Sequence, residues 1–469
     1  MIAALGAGYG IRARIADGWT FMGADSFAYM GAAMELWESH RYAFRQPPWH
    51  ASRPAVAPLG YGRLPGYPIV LAALVHASGA SYDTYAARAK SLQRILDLGT
   101  CLLVFLIARR LGGRWAAWPA FLLAVVHPSL VLHSAAVLTE TLATFLGTAT
   151  LALAGYSLDR TLAPGRARAA LIAAGAMAGL GALVRNDAIL LLPCLVVPVL
   201  VRAARPRTVL MAFAAFALVF AAWPIRNLVR FGKPHALGSL TDVRGREMPR
   251  AAFYDWFATW VVREEQWPAT MYCLMRPECV ATVTSYPREA FDSAAERALV
   301  ARLFELRRRE GFSARVDDGF RVLARHRTLS HPVRTLVVLP AKRAFHQWVN
   351  PDDQPLRSAG VPWPTVMSVV TPCLKGLSIF TTVAGLAGLA ALGLLRRFRD
   401  LRPAALMAAL AIGVRTAFLA YLGLVDRRYL LEILPVVLVL AGVALGLVLR
   451  RGYRAIRPAP DVAEGPAET

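Results

Sequence analysis

The chain contains nine apolar runs that are predicted to cross the hydrocarbon core of a lipid bilayer, and three of them are short and rely on flanking arginines at the interface. A helix that crosses this core needs roughly 20 predominantly apolar residues. The runs cover 91–108, 115–136, 137–156, 169–184, 188–201, 208–223, 376–395, 403–422 and 430–449. Since only helices and closed barrels satisfy all their backbone hydrogen bonds in lipid, these runs predict an all-α, polytopic membrane protein.

The distribution of charge agrees with this class and indicates how the spans run. Hydrophobic residues make up 56% of the chain and charged residues only 18%, which is too apolar for an ordinary soluble enzyme. The net charge of +23 comes largely from arginines in short loops between the runs, as in cytoplasmic loops. These loops lie at 109–114, 160–168, 202–207, 396–402 and 450–454. The alternate loops are therefore predicted to face the outside.

Polar segments divide the chain into four predicted parts. Residues 1–226 form an N-terminal transmembrane module, whose first outer loop covers about 12–90. Residues 227–363 form an extracytoplasmic loop domain. The remaining parts are the C-terminal transmembrane helices at 364–452 and a cytoplasmic tail at 453–469.

Three shorter features complete the organisation. The segment 63–79 is too short and proline-rich to span comfortably, and the segment 331–349 is apolar and basic with an aromatic end, so we expect both to lie along the membrane interface. Residues 1–11 are about half a span, which predicts that the native reading frame begins further upstream. Cys273 and Cys279 lie in the outer loop, where they either form a disulfide or stay as free thiols.

The stretch GADSFAYMGAAMELWESHRYAF, at 23–44, raises the first question about function. An apolar stripe at helical spacing, consisting of Phe27, Met30, Met34 and Trp37, predicts a helix that rests on an apolar surface. Asp25 then lies at or near the N-cap of this helix. Asp is a favoured N-cap residue, so Asp25 is either a plain cap or a functional carboxylate.

Other charged residues are predicted to gather on the same outer face. Glu140 lies at the outer end of a span, where a carboxylate is costly unless it has a partner or a task. The arginines at outer ends of spans are Arg63, Arg185, Arg226, Arg427 and Arg428, and Arg415 lies within a span. Each arginine alone fits an interfacial anchor. Together with two carboxylates, the set suits a reaction that releases a proton and a lipid-bound phosphate.

Six stretches give the chain a resemblance to a known family. They are GADSFAYMGAAMELWESHRYAF, RLPGYPIVLAAL, HPSLVLHSAAVLTETLATFL, GLGALVRNDAILLLP, WPIRNLVRFGKP and RRYLLEILPVVLVLAG. In this order, the sequence resembles the membrane glycosyltransferases of the GT-C fold, in the bacterial branch related to protein mannosyltransferases and the lipid A aminoarabinose transferase. The resemblance implies a bundle of about 10 transmembrane helices with interfacial helices and one extracytoplasmic loop domain.

The resemblance also implies roles for particular residues. Asp25 matches the catalytic base of the first outer loop, and Glu140 matches a supporting acid. The arginines that match positions for holding the lipid phosphate are Arg63, Arg185 and Arg428. Many relatives read Asp-Glu at the first motif, whereas this chain has Ser26 after Asp25, so a second acid there is in doubt.

Two further assignments complete the expected site. Arg427 and Arg428 are adjacent between two spans, so we expect the pair to bind the phosphate or to anchor the helix ends. Tyr29 and Tyr67 are assigned to the substrate cavity. No cofactor is expected, and a divalent metal ion is left open because no motif has tight ligand spacing.

The residues also indicate a reaction. A carboxylate takes the proton of an acceptor hydroxyl, and arginines stabilise the departing phosphate. We therefore expect an inverting transfer of a sugar from a polyprenyl phosphate to a glycan, lipid or protein, outside the inner (plasma) membrane. Expected partners are the lipid-linked sugar, the acceptor and membrane lipids. Nucleic acid is excluded, because no basic stripe interleaves with stacking aromatic residues.

An alternative from another class is a polytopic transporter or lipid flippase. It would also have about ten spans and buried charges. Its usual marks are paired repeats and broken helices at the midplane of the membrane. The sequence shows no internal repeat, and its polar residues collect near one face.

Overall fold

The computed structural model describes residues 1–18, 24–45, 56–58, 63–78, 82–159, 161–201, 204–236, 251–266, 286–311, 313–350 and 366–456. Almost all of these residues belong to helices. The first ten α-helices are α1 (Ile2–Gly18), α2 (Ala24–Ser39), α3 (Gly66–Ser78), α4 (Tyr82–Gly112), α5 (Arg114–Val126), α6 (Pro128–His133), α7 (Glu140–Tyr156), α8 (Pro164–Val184), α9 (Val197–Leu200) and α10 (Pro206–Phe231). The others are α11 (Ala251–Ala258), α12 (Ala294–Glu310), α13 (Ala314–Ser330), α14 (Leu339–Val349), α15 (Thr371–Leu394), α16 (Arg402–Leu422) and α17 (Leu434–Ile456).

Shorter elements connect these helices. The 3-10 helices are Asn186–Leu195, Arg288–Ala290, Arg396–Leu401 and Arg427–Leu430, and π-helical turns cover Arg334–Val338 and Val366–Val370. Two strands, β1 (Ala43–Arg45) and β2 (Val56–Pro58), form an antiparallel pair with Phe44 opposite Ala57. Cys273, Cys279 and the tail after residue 456 lie outside the described residues.

Six of the described helices are long and apolar enough to cross a membrane. They are Thr84–Gly112, Pro164–Val184, Pro206–Phe231, Ser368–Leu394, Arg396–Leu422 and Leu434–Ile456. Shorter apolar helices, including Arg114–Val126 and Asn186–Leu200, pack among them. The predicted all-α, multi-pass membrane fold is confirmed.

Two predicted spans differ from continuous α-helices. The run 115–136 is interrupted at His127, which has extended dihedrals (φ −63°, ψ 120°) because Pro128 follows it. The run 188–201 forms a ten-residue 3-10 helix and then the short helix α9. Pro193 lies inside the 3-10 helix, where its missing N–H weakens an α-helical ladder.

The predicted amphipathic helix at 26–37 is present as part of α2, but its buried face is not centred on the expected stripe. Met30 is fully buried and packs with Ala33 against Tyr67 and Leu71 of α3. Trp37 is 42% exposed at the other end of the stripe. Small alanines on α2 let α3 approach closely, which a count of large apolar residues does not reveal.

The loop domain has its own aromatic core. Helices α11, α12 and α13 bury rings that touch edge to face or at a tilt, and these include Phe253, Trp256, Trp260 and Phe320. Helix α12 has Ser293 as its N-cap and arginines in its last turn, which suits the helix dipole. Val425, from the segment after α16, also joins this core, so the loop domain is continuous with the bundle.

A buried arginine fastens the loop domain to the bundle. Arg343 of α14 donates hydrogen bonds to the backbone carbonyls of Val261 (2.8 Å), Ala420 (2.7 Å) and Ala258. Ala258 is the last residue of α11 and Val261 follows this helix, whereas Ala420 lies near the end of α16. The predicted interfacial segment at 331–349 therefore includes a helix that joins two other elements.

Helices α15 and α17 approach so closely that only glycine fits between them. A Cβ atom on Gly388 would overlap the backbone carbonyl of Leu440, and one on Gly385 would lie 2.8 Å from Val437. Glycines spaced by about one helical turn let the backbones of two membrane helices meet. The contact fixes α17, whose first turn follows the segment that carries Arg427 and Arg428.

We expect Gly388→Ala to destabilise the protein by about 1–3 kcal/mol, because the added methyl group overpacks this contact. The control is Gly393→Ala on the same helix, since a Cβ there meets nothing within 4 Å. Thermal unfolding in detergent checks the pair. Equal unfolding temperatures for the two variants would contradict the close packing of α15 and α17.

Candidate functional site

Asp25 lies in the first turn of α2, directly beside a cation. Its Oδ1 atom accepts a hydrogen bond of 2.6 Å from Nη2 of Arg63. The Asp25 side chain is 43% exposed and that of Arg63 is 31% exposed, so the pair is open to a substrate. Burial raises the pKa of Asp25, but Arg63, followed by Arg428 and Arg185, outweighs it and holds this pKa below its ordinary value. The carboxylate is therefore ionised at neutral pH.

Two tyrosines flank this pair as the sequence predicts. The guanidinium of Arg63 lies 4.9 Å from the ring centroid of Tyr29, close enough for a cation–π contact. Tyr29 meets the ring of Tyr67 edge to face at 5.3 Å. Tyr67 is buried, and its hydroxyl donates to Oε1 of Gln93 over 2.7 Å. Tyr29 thus lies against the accessible pair, whereas the buried Tyr67 packs against Tyr29.

Arg185 lies in the break between α8 and the 3-10 helix at Asn186–Leu195. Its backbone is extended (φ −146°, ψ 130°), which turns the side chain inward. The guanidinium meets three carboxylates: Glu140 at 3.1 Å, Asp187 at 3.1 Å and Glu432 at 2.6 Å. Glu140 is 3% exposed and opens α7, where a negative charge suits the helix dipole. Arg185 therefore ties together α7, the break after α8 and the start of α17.

A second buried arginine shares two of these acids. Nη2 of Arg415 lies 2.9 Å from Asp187 and 2.9 Å from Glu432. Nε of Arg415 donates to the backbone carbonyl of Tyr429 over 2.7 Å. The sequence prediction does not include Asp187 or Glu432, and it places Arg415 only within a span. A signal exists for Arg415 and Glu432, because each is a charged residue within an apolar run, whereas Asp187 lies in the short gap between two runs.

Arg428 connects this group to the outer pair. Its Nε lies 2.8 Å from Asp426 and 3.8 Å from Glu140, and its Nη2 donates to the Tyr429 hydroxyl over 3.2 Å. The ring centroid of Tyr429 is 5.1 Å from the guanidinium of Arg428 and also 5.1 Å from that of Arg185. Burial lowers the pKa of Arg428, but Asp426 and its other neighbours outweigh this and raise the pKa above its ordinary value.

We call the six side chains of this group the buried charge cluster. Its members are Glu140, Asp187, Glu432, Arg185, Arg415 and Arg428. Within this set three carboxylates face three guanidinium groups, and Asp426 adds a fourth carboxylate 2.8 Å from Arg428. This pairing of opposite charges offsets much of the cost of removing them from water. The predicted site residues Asp25, Arg63, Glu140, Arg185 and Arg428 are therefore brought together.

Two of the predicted arginines have other partners. Arg427 lies 3.2 Å from Glu264 and 3.3 Å from Glu265, the acids that follow the α11 segment of the loop domain. Arg226 lies against the rings of Trp223 (4.9 Å) and Tyr42 (5.5 Å). Arg427 is adjacent in sequence to Arg428, a member of the cluster. Arg226 packs instead against a separate group of aromatic side chains.

A cavity of about 50 Å³ opens on one side of Arg427 and Arg428. Hydroxyl and amide side chains share its wall with leucines. Its lining comprises His127, Ser129, Gln347, Trp348, Asn350, Ser378, Thr381, Thr382, Arg427, Arg428, Leu430, Leu431, Leu434 and Val437. In the part of the chain that the structure describes, no group of three or more ligating side chains is arranged to hold a metal ion.

Comparisons with known proteins bear on this geometry. Residues 84–227, about a third of the chain, match the family model described as dolichyl-phosphate-mannose-protein mannosyltransferase. No curated protein matches the sequence.

Solved structures give a likeness over nearly the whole chain. The oligosaccharyltransferase of Archaeoglobus fulgidus, tethered to an acceptor peptide, superposes with a TM-score of 0.52 at 16% identity, over 97% of this chain and 50% of that one. A structure of the same archaeal enzyme with an inhibitory peptide and a dolichol-phosphate gives 0.52 at 15% identity, over 98% and 52%. ArnT from Cupriavidus metallidurans, bound to undecaprenyl phosphate, gives 0.42 at 14% identity, over 97% and 78%.

These comparisons define the class of the fold. The chain spans about half of the length of the archaeal oligosaccharyltransferase. The arrangement of helices is that of the GT-C membrane glycosyltransferases, so the fold that the sequence predicts is confirmed.

We expect Arg63→Gln to raise the pKa of Asp25, because burial then acts without the main opposing cation. The protonated carboxyl group should persist to higher pH than in the parent protein. Infrared difference titration measures this, with the double variant Asp25→Asn, Arg63→Gln as the background. An unchanged titration midpoint would show that Arg63 does not control the charge of Asp25.

Proposed function

We propose that the protein is an integral membrane glycosyltransferase that moves a sugar from a polyprenyl-phosphate donor to an acceptor hydroxyl. The observation that carries this proposal is the position of Asp25. An accessible, ionised carboxylate lies 2.6 Å from Arg63 and within electrostatic reach of Arg428 and Arg185. A base next to cations is what this transfer needs, because the reaction releases a proton on one side and a phosphate on the other.

Asp25 acts as the base in this proposal. The acceptor oxygen attacks the anomeric carbon from the face opposite the phosphate, and its proton passes to the Asp25 carboxylate. The bond between the anomeric carbon and the phosphate oxygen breaks, and its electron pair leaves with the polyprenyl phosphate. Attack from the opposite face inverts the anomeric centre.

The cations take two different roles. Arg63 and Arg428 border the open side of the site, and both can turn N–H groups toward a phosphate. The N–H groups of Arg185 are directed at Glu140, Asp187 and Glu432, so Arg185 holds Glu140 in place and adds positive potential. Arg427 lines the neighbouring cavity while it pairs with Glu264 and Glu265.

The comparisons support this reaction class. The matched family is described by its use of dolichyl-phosphate-mannose, and the archaeal enzyme of similar fold was solved in complex with a dolichol-phosphate. Both favour a transferase over the transporter or flippase alternative. The arginine-rich loops support a location in the plasma membrane with the site facing outside. The transferred sugar would be a hexose or pentose, and the acceptor a glycan, lipid or protein.

A deletion strain that carries either the parent gene or the Asp25→Asn variant tests the proposal. Deletion should remove a hexose or pentose from a cell-envelope glycan, glycolipid or protein, as measured by mass spectrometry. The parent gene should restore the sugar, and Asp25→Asn should not, because the amide accepts no proton from the hydroxyl. We expect a loss of transfer of at least about 100-fold. Restoration by the Asn variant at the parental level would refute the role of Asp25.

Glu140→Gln in the same strain should reduce transfer by less, since Glu140 reaches the site through Arg185. The amounts of folded protein in the membrane are compared for all strains. Loss of transfer at unchanged protein levels separates a catalytic defect from misfolding.

Arg428→Lys should raise the KM for the lipid-linked donor while the protein still inserts and unfolds at a similar temperature. A lysine keeps the charge but loses the two-pronged geometry that suits a phosphate. Arg428→Ala should raise this KM further. The matched control is Arg334→Lys, whose parent arginine pairs with Asp292 on the loop domain. A donor KM that stays at the parental value in both Arg428 variants would reduce Arg428 to a helix anchor.

A further inference from the structure

Arg415 joins three separate segments of the chain at one point. It extends from α16, which belongs to a candidate membrane span, and its side chain is only 5% exposed. Its guanidinium contacts Asp187 after α8, Glu432 before α17, and the backbone carbonyl of Tyr429 in the 3-10 turn. A cation in an apolar span is costly unless it pairs or serves the site. The two carboxylates and the carbonyl oxygen therefore compensate the buried charge of Arg415.

The partners of Arg415 also contact Arg185 and Arg428, the two cations that act on Asp25 in addition to Arg63. Asp187 and Glu432 are also partners of Arg185, so Arg415 and Arg185 share the same two carboxylates. Tyr429 follows Arg428 directly, and its ring lies beside both Arg185 and Arg428. Fixing the carbonyl of Tyr429 therefore fixes the turn from which Arg428 projects.

We propose that Arg415 is a positioning residue that holds the carboxylate partners of Arg185 and the turn of Tyr429 in place, and thereby orients Arg428 toward the phosphate of the donor. The inference rests on the proposed function and goes beyond it, because Arg415 touches neither Asp25 nor the open side of the site. Only an arginine suits this position. Its planar fork offers separate N–H groups to a carbonyl and to two carboxylates, whereas a lysine offers one point of charge.

Binding of undecaprenyl phosphate to the purified full-length protein in detergent tests this inference without requiring transfer. We expect Arg415→Lys to weaken binding by about tenfold, by analogy with the partners that orient metal ligands, whose loss weakens metal binding on that scale. Polyprenol without the phosphate should bind the parent and the variant equally. Glu432→Gln, which is nearly isosteric, should weaken undecaprenyl phosphate binding in the same way. In the double variant the two losses should not add, because both substitutions break the same link.

The matched control is Arg343→Lys. Arg343 is also a buried arginine next to α16, but it donates to backbone carbonyls away from the cluster. This variant should bind undecaprenyl phosphate like the parent per folded molecule, even if it unfolds at a lower temperature. Equal losses in Arg415→Lys and Arg343→Lys would reduce Arg415 to a structural residue.

Each of the remaining outcomes supports or overturns the inference. Parental affinity in both Arg415→Lys and Glu432→Gln would overturn the inference and leave the proposed function intact. A parent protein that binds polyprenol and undecaprenyl phosphate equally would overturn the proposed role of the phosphate itself, and the inference with it. If Arg415→Lys yields too little folded protein, the affinity of Glu432→Gln alone decides between these outcomes.

Discussion

The candidate site depends on one interaction: the contact of the Arg185 guanidinium with three carboxylates from separate parts of the chain. Glu140 opens α7, Asp187 follows α8, and Glu432 precedes α17, so a single side chain sets the relative positions of three helix ends. Breaking a buried ion pair by removing one partner typically costs about 3–5 kcal/mol, because the other charge is left without compensation. The cluster is therefore held together as a unit.

Sequence analysis locates much of this site, because the apolar runs indicate how deep in the membrane each charged residue lies. Glu140, Arg185 and Arg428 lie near ends of runs, and Asp25 lies in the predicted first outer loop, which is enough to predict a shared face. The direction in which each side chain projects around its helix depends on packing between helices. For that reason the predicted site lacks Asp187 and Glu432, although both lie within a few residues of predicted members.

The irregular elements are equally hard to predict, although they shape the site. Arg185 lies in a break between helices, and a 3-10 helix follows this break. A hydropathy profile does not distinguish this arrangement from a boundary between two ordinary membrane spans. It measures how apolar a segment is, and it says little about the pitch of the helix. The 3-10 helix has a rise of about 2 Å per residue, so a short run covers more of the membrane thickness than its length as an α-helix suggests.

Arg427 and Arg428 are consecutive residues whose side chains serve different parts of the molecule. Arg427 is bound to Glu264 and Glu265 beside the loop domain, and Arg428 is bound to the buried charge cluster. Val425, two residues earlier than Arg427, is packed into the aromatic core of the loop domain. One short turn thus couples the two regions mechanically, so that any displacement of the loop domain would also move Arg428 within the cluster.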